Sequence, residues 1–251
     1  KSAMENISLR EGVMISHFEM LSDWQWYRRR GGSDKKSTEV FFRHWIPMLA
    51  PATPHIAEEF WSKVGNQDMV SEYIISDISE LEDDIIHIAK EQYLRDLIDS
   101  SRNVKGLASR HSEVAISKCI IQTSPKWKND IAIEALSLSV KNFDFKENGM
   151  NHVKSLGVFG VEKLRGEVIQ TWQSFTTGNK KTRGKIHTWS EAEKSLINLR
   201  FNESDFINKN ADFIAYSLSI DNVFSYDVGD GEDVAGKARV SSPLNPGIAF
   251  I

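Results

Sequence analysis

The chain has 251 residues, 40% of them hydrophobic and 26% charged, enough for one large core or two modest ones. No apolar run approaches the ~20 residues a membrane span requires, and the first residues lack the order of a signal peptide, so a cytoplasmic protein without a membrane partner is expected. The net charge of −4 argues against a protein that coats duplex DNA but allows an RNA held by local basic patches, and the single cysteine, Cys119, excludes a disulfide framework or a cysteine-built metal cage.

Apolar residues recur at helical spacing from the start. Val13, His17, Met20 and Trp24 form one line, with Met14, Phe18 and Leu21 beside it. No start signal precedes this pattern, so a piece cut from a longer polypeptide is expected. The helix should run to Arg28, Arg29 and Arg30 and stop at Gly31 and Gly32, with its cations at the carboxyl end. A second helix carries Phe41, Trp45 and Met48 on one face and stops at Ala50-Pro51. A third takes Thr53 as N-cap and Pro54 as its first residue, turning Ile56, Ala57, Phe60, Trp61 and Val64 inward. Ser79 to Glu82 has the form of a capping box for a fourth, which should bury Ile85, Ile88, Leu94, Leu97 and Ile98. Four antiparallel helices joined by short loops predict a helical bundle over 1–108.

The character changes near Gly106 to Ser112. Val114 to Gln122 reads as a strand, and Ser124-Pro125 starts a helix with Trp127, Ile131, Ala135 and Leu138. Further helices are expected around 150–158, 161–175 and from Thr188 or Ser190 through Phe206. Strand-like segments are expected at 213–220, 223–228 and 247–251. A mainly α protein follows, with the bundle succeeded by a small α+β domain over 109–251.

Chemistry is sparse. The loop Gly178 to Lys185 resembles a phosphate cradle only superficially: five residues separate its glycines where four are needed, and Ile186 occupies the place of the Mg²⁺-binding hydroxyl. Its Lys180, Lys181, Arg183 and Lys185 then form a basic loop that meets either RNA phosphates or only solvent. Asp227, Asp230, Glu232 and Asp233 lack the ligand order of a Ca²⁺ loop, and the seven histidines form no zinc motif. No nucleophile, base and oxyanion donor assemble, so neither a catalytic nor a metal-binding residue is expected. Trp26 and Tyr27 adjoin Arg28–Arg30, with Lys35 and Lys36 just beyond. That group reads either as a clamp on a phosphate backbone or as an ordinary basic helix terminus.

One string is more specific. Leu49-Ala50-Pro51-Ala52-Thr53-Pro54-His55-Ile56-Ala57-Glu58-Glu59-Phe60-Trp61 closely resembles a signature of the anticodon-binding helical domain of class I aminoacyl-tRNA synthetases for leucine, isoleucine, valine and methionine. Within that group, Ile120 to Lys128 and the ending from Lys237 to Ile251 are similar to the C-terminal domain of archaeal-type leucyl-tRNA synthetases. The resemblance implies that the chain is the C-terminal portion of such an enzyme. Its partners would be the tRNA for leucine, gripped at its corner and long variable arm, and the remainder of the synthetase polypeptide. Carried over by position, Phe250 and Ile251 are candidates for the variable-arm contact, with Lys237 and Arg239 close by; Gly247 stands where the family commonly has alanine. The activation signatures are absent, so the chain itself would use no cofactor, while ATP and Mg would serve the full-length ligase. A synthetase-derived protein-interaction module, or a paralogue without ligase activity, is the alternative.

Overall fold

The computed structural model describes residues 6, 8–74, 84–111, 116–178, 183–227, 236–237 and 239–251. The chain divides into two compact units, Lys1–Glu82 and Asp83–Ile251.

The first unit opens with α1 (Leu9–Val13), a π-helical turn (Met14–Glu19) and α2 (Met20–Arg29). A π turn adds a residue to the helical ladder and rotates everything after it. The line Val13, His17, Met20 and Trp24 is half-buried, with Met20 against the core, whereas Met14 and Phe18 of the second line, and Ile15, are exposed. The turn is anchored from inside: buried Ser16 donates its Oγ to Gly12 O at 2.8 Å, and its carbonyl accepts Trp45 Nε1 at 2.6 Å.

The next helices are α3 (Lys35–Leu49) and α4 (Pro54–Lys63). They contribute Trp45, Ile46, Leu49, Ala57 and Trp61 to a core closed by Val70. Trp24 stacks on Phe41 at 4.5 Å and Phe41 on Trp45 at 5.4 Å, so the aromatic residues of the sequence pattern pack on one another. Of the five α4 residues expected to face inward, only Ala57 and Trp61 are buried. A ten-residue helix packed on α3 covers a narrow i, i+4 stripe, and Ile56, Phe60 and Val64 fall outside it. Thr53 holds the N-cap position, but its Oγ1 donates back to Leu49 O at 3.1 Å and caps nothing.

In the second unit α5 (Ile85–His111) buries Tyr93, Leu94, Leu97 and Ile98 and leaves Ile85 and Ile88 exposed. Ser79–Glu82 lie outside the described residues; Asp84 caps α5, its Oδ1 accepting the His87 N–H at 3.0 Å. The compact units divide the chain elsewhere than at 108/109, because α5 packs on the helices Glu191–Asn198 and Ala211–Leu218 and on the strand Gly247–Phe250 of the second unit.

β1 (Lys118–Gln122) is the middle strand of a three-stranded sheet. β2 (Asn222–Tyr226) pairs with it parallel and β3 (Gly247–Phe250) antiparallel. All three strands are shorter than the runs read from sequence; 112–115 and 228 lie outside the described residues. α6 (Lys126–Val140), α7 (Gly149–Ser155) and α8 (Arg165–Thr176) enclose a core that includes Ile131, Ala135, Val153, Val168, Trp172 and Phe175.

Two expectations change. The single helix expected through Phe206 is two, α9 (Glu191–Asn198) and α10 (Glu203–Lys209), separated where Arg200 turns to φ 51°. Each has its own cap: Ser190 and Glu193 complete a capping box for α9, and Asn202 accepts the Asp205 N–H for α10. The segment 213–220, read as a strand, lies largely in α11 (Ala211–Leu218), with Ile214, Ala215 and Leu218 buried at helical spacing and Ser219 ending it at φ 52°. A short continuous apolar run does not distinguish the two structures by periodicity. Among the described residues, no helix is long and apolar enough to cross a membrane.

Candidate nucleic-acid interface

The first unit brings five cations to one corner. α2 ends in Arg28 and Arg29, Arg30 follows, and the chain reverses at Gly31, whose φ of 88° suits glycine. The Gly31 and Gly32 amides donate to Arg28 O and Tyr27 O, closing the helix end. A Cβ on Gly32 would lie 2.4 Å from the Tyr27 ring, so glycine there lets the reversal pack against that ring. Asp34 then caps α3 by accepting the Ser37 N–H at 2.6 Å, and that bond holds its carboxyl below the usual range. Lys35 and Lys36 occupy the first turn of α3.

An ordinary basic helix terminus accounts for only part of this cluster. Arg28 and Arg29 complement the carboxyl end of α2, and Arg29 also lies 5.6 Å from the Trp26 ring. Lys35 and Lys36 instead oppose the dipole of α3 at its amino end, where a cation is unfavourable by roughly 0.3–1 kcal/mol. Lys35, Glu39 and Arg43 follow one another at i+4 along a cleft of about 720 Å³, which Phe42 and Asn66 also line. Lys35 reaches Glu39 at 3.6 Å. Arg43 was missed in the sequence, although its spacing from Lys35 carried the signal.

In the second unit the candidates separate. Lys180 and Lys181 lie outside the described residues, and Arg183 is exposed. Lys185 is half-buried, donates its Nζ to Ser242 Oγ at 2.7 Å, and has its pKa lowered by desolvation. It holds the chain ahead of β3 rather than standing ready for phosphate. Lys128, the last residue of the string that began at Ile120, has the same role. It is 5% exposed and donates to Arg239 O and Ser241 O, both at 2.8 Å. Lys237 packs beneath Gly247, where an added Cβ would come within 2.6 Å of Lys237 Cβ, which explains glycine at that position. Arg239 is exposed and 3.9 Å from Glu167. Phe250 pairs in register with buried Cys119, whose thiol burial pushes up to about 12. Ile251 exchanges backbone bonds with Lys118 and exposes its side chain. Neighbouring residues of a strand point to opposite faces, so Phe250 and Ile251 do not present one joint surface.

A third buried charge pins the same segment. Glu203 accepts Tyr93 Oη–H at 2.8 Å and the Leu244 N–H at 3.1 Å. Burial pushes its carboxyl up from 4.5 to about 7, against the pull of those two bonds. A carboxyl with a raised folded-state pKa keeps its proton longer in the folded chain. Its contribution to stability is therefore full at low pH, declines as pH rises through the window from 4.5 to about 7, and levels off above it. Glu203→Gln retains an acceptor for Leu244 and an amide for Tyr93 and removes this decline, up to about 3 kcal/mol. Urea midpoints near pH 5 and near pH 8 should converge in the variant, which should exceed the parent at the higher pH; parallel profiles would exclude the assignment. Among the described residues, no three His, Cys, Asp or Glu side chains are grouped to hold a metal ion.

Residues 1–120 match the family described as the anticodon-binding domain of tRNA ligase. Over 260 residues the chain is 26% identical to the leucine–tRNA ligase of Methanococcus maripaludis strain C7, covering 99% of this chain and 23% of that protein. The leucine–tRNA ligase of Methanocaldococcus jannaschii is 26% identical over 249 residues, and leucine–tRNA ligase 1 of Sulfolobus acidocaldarius 26% over 254, each covering 98% of this chain. The chain spans about a quarter of the length of these relatives. Residues 1–120 are thus similar to the anticodon-binding domains of the tRNA ligases, and nearly the whole chain is similar to a part of the archaeal leucine–tRNA ligases.

Proposed function

We propose that the chain is the C-terminal, tRNA-holding part of a cytoplasmic leucine–tRNA ligase, and that it positions the tRNA for leucine without performing chemistry. The observation that carries this reading is the α2–α3 corner, where Arg28, Arg29, Arg30, Lys35 and Lys36 follow one another and Lys35 shares a cleft with Arg43, within the residues that match a tRNA-ligase domain. Such cations fix an RNA through its phosphates and carry no sequence information. Specificity then belongs to the second unit, where Arg183, Lys237, Arg239 and Ile251 are candidates for the corner and long variable arm, with Phe250 as a half-buried support. ATP and Mg would be held by the remainder of the polypeptide. That remainder would use the binding energy collected here to orient the acceptor end.

The test is a titration of the chain with tRNA for leucine and with the same tRNA lacking its long variable arm. Loss of the arm should weaken binding by about tenfold or more, as expected for a few charge-assisted contacts. Equal affinity for both would remove the variable arm from the proposal.

A further inference from the structure

The second unit has a cleft of about 500 Å³ that shares only Arg183 with the contacts above. Phe143 and Phe145 line it, their ring centroids 5.4 Å apart, and Phe145 also packs against Trp172 at 5.9 Å. The aromatic wall is thus anchored in the core. Lys146, Arg183 and His187 line the same cleft, and among the described residues none of the three is paired with a carboxylate. The one carboxylate present, Asp144, accepts the backbone N–H groups of Lys146 and Glu147 at 2.8 and 3.0 Å.

The opposite rim is held just as firmly. Gly184 lies so close to the carboxyl end of α8 that an added Cβ would be 2.0 Å from Thr176 O and 2.7 Å from Phe175 O. Glycine there lets the segment carrying Arg183 and His187 sit directly on the helix. That helix end contributes about half a negative charge. Together with Asp144 it falls short of the two fixed cations, so the cleft stays net positive. Its volume lies within the range of small-molecule sites, and rings beside cations are the usual means of holding a base and its phosphate.

We propose that this cleft binds a single 5′-nucleotide, with the base against Phe143 and Phe145 and the phosphate on Lys146 and Arg183, either free or unpaired within an RNA strand. His187 supplies a ring nitrogen to the same phosphate. The free nucleotide tests the site independently of the RNA-holding role proposed above.

The whole chain is titrated with 5′-AMP, 5′-CMP, ribose 5-phosphate and inorganic phosphate, following amide NMR shifts. The nucleotides should saturate in the millimolar range, shifting residues 143–146 and 183–187, and should bind several-fold more tightly than the two baseless probes. Exposed Lys146 and Arg183 can be removed without disturbing the core. Lys146→Ala and Arg183→Ala should each weaken 5′-AMP binding by on the order of tenfold. Asp144→Asn keeps the acceptor for the turn, loses the charge, and should tighten binding. A short single-stranded oligoribonucleotide that competes with 5′-AMP would place the nucleotide within RNA; failure to compete would restrict the site to free nucleotides. Absence of shifts at these residues, equal affinity for phosphate and 5′-AMP, or indifference to all three substitutions would overturn the proposal. Nucleotide binding in a chain that does not bind tRNA would count against the RNA-holding role alone.

Discussion

Replacing Arg28, Arg29, Arg30, Lys35 and Lys36 together by glutamine should lower the affinity of the chain for tRNA by ~100-fold or more at physiological salt. Each cation that meets a phosphate releases a counterion on binding, so the dependence of affinity on salt should flatten by about one unit of slope per contact removed. The fold should survive. Lys35 and Lys36 are exposed and their removal relieves an unfavourable position at the start of α3, while loss of Arg28 removes only an exposed bond to Gly32 O at 3.0 Å and leaves the Asp34 cap and the backbone bonds of the reversal in place. Affinity and slope both unchanged would mean that this corner is only a basic helix junction. Filter binding at several salt concentrations separates the outcomes.

The second large effect lies within the signature string. Trp61→Ala should destabilise the first unit by about 3–5 kcal/mol, whereas Phe60→Ala should cost about 1 kcal/mol. Trp61 is 2% exposed, packs on Tyr73 with centroids 4.8 Å apart, and points its Nε1 toward Asp68 Oδ1 at 3.3 Å. Phe60 is 36% exposed and meets Trp45 only at 6.5 Å. The two residues are adjacent in the motif, and sequence periodicity assigned both to the interior. Urea denaturation, read by hydrogen exchange within the first unit, distinguishes them, and equal losses would contradict the observed burial.

That pair shows how much of the molecule could be read in advance. Local chemistry was legible: the Arg28–Gly32 helix end, the proline start of α4, the cap at Ser190 and the strand around Cys119 each depend on residues a few positions apart. The π turn at Met14–Glu19 was not, because nothing in the residue types announces it. Nor were the long-range pins. Tyr93 and Glu203 are 110 positions apart, and Lys128 reaches a segment 111 and 113 residues away. Their positions follow from tertiary packing, as does the parallel pairing of β1 with β2. The same reasoning reshaped the interface. The basic loop offered Lys185 either to RNA phosphates or to solvent, whereas partial burial and its bond to Ser242 make it a structural group. Arg43 joins the cleft because it repeats the spacing of Lys35 and Glu39.

The most direct measurement is a titration of the 251-residue chain with tRNA for leucine across salt concentrations. If the chain is an RNA-holding part of a ligase, binding saturates at one tRNA per chain, and log affinity falls with log salt at a slope of several units. Absence of saturable binding, or an affinity independent of salt, would contradict that function and favour a module that docks protein.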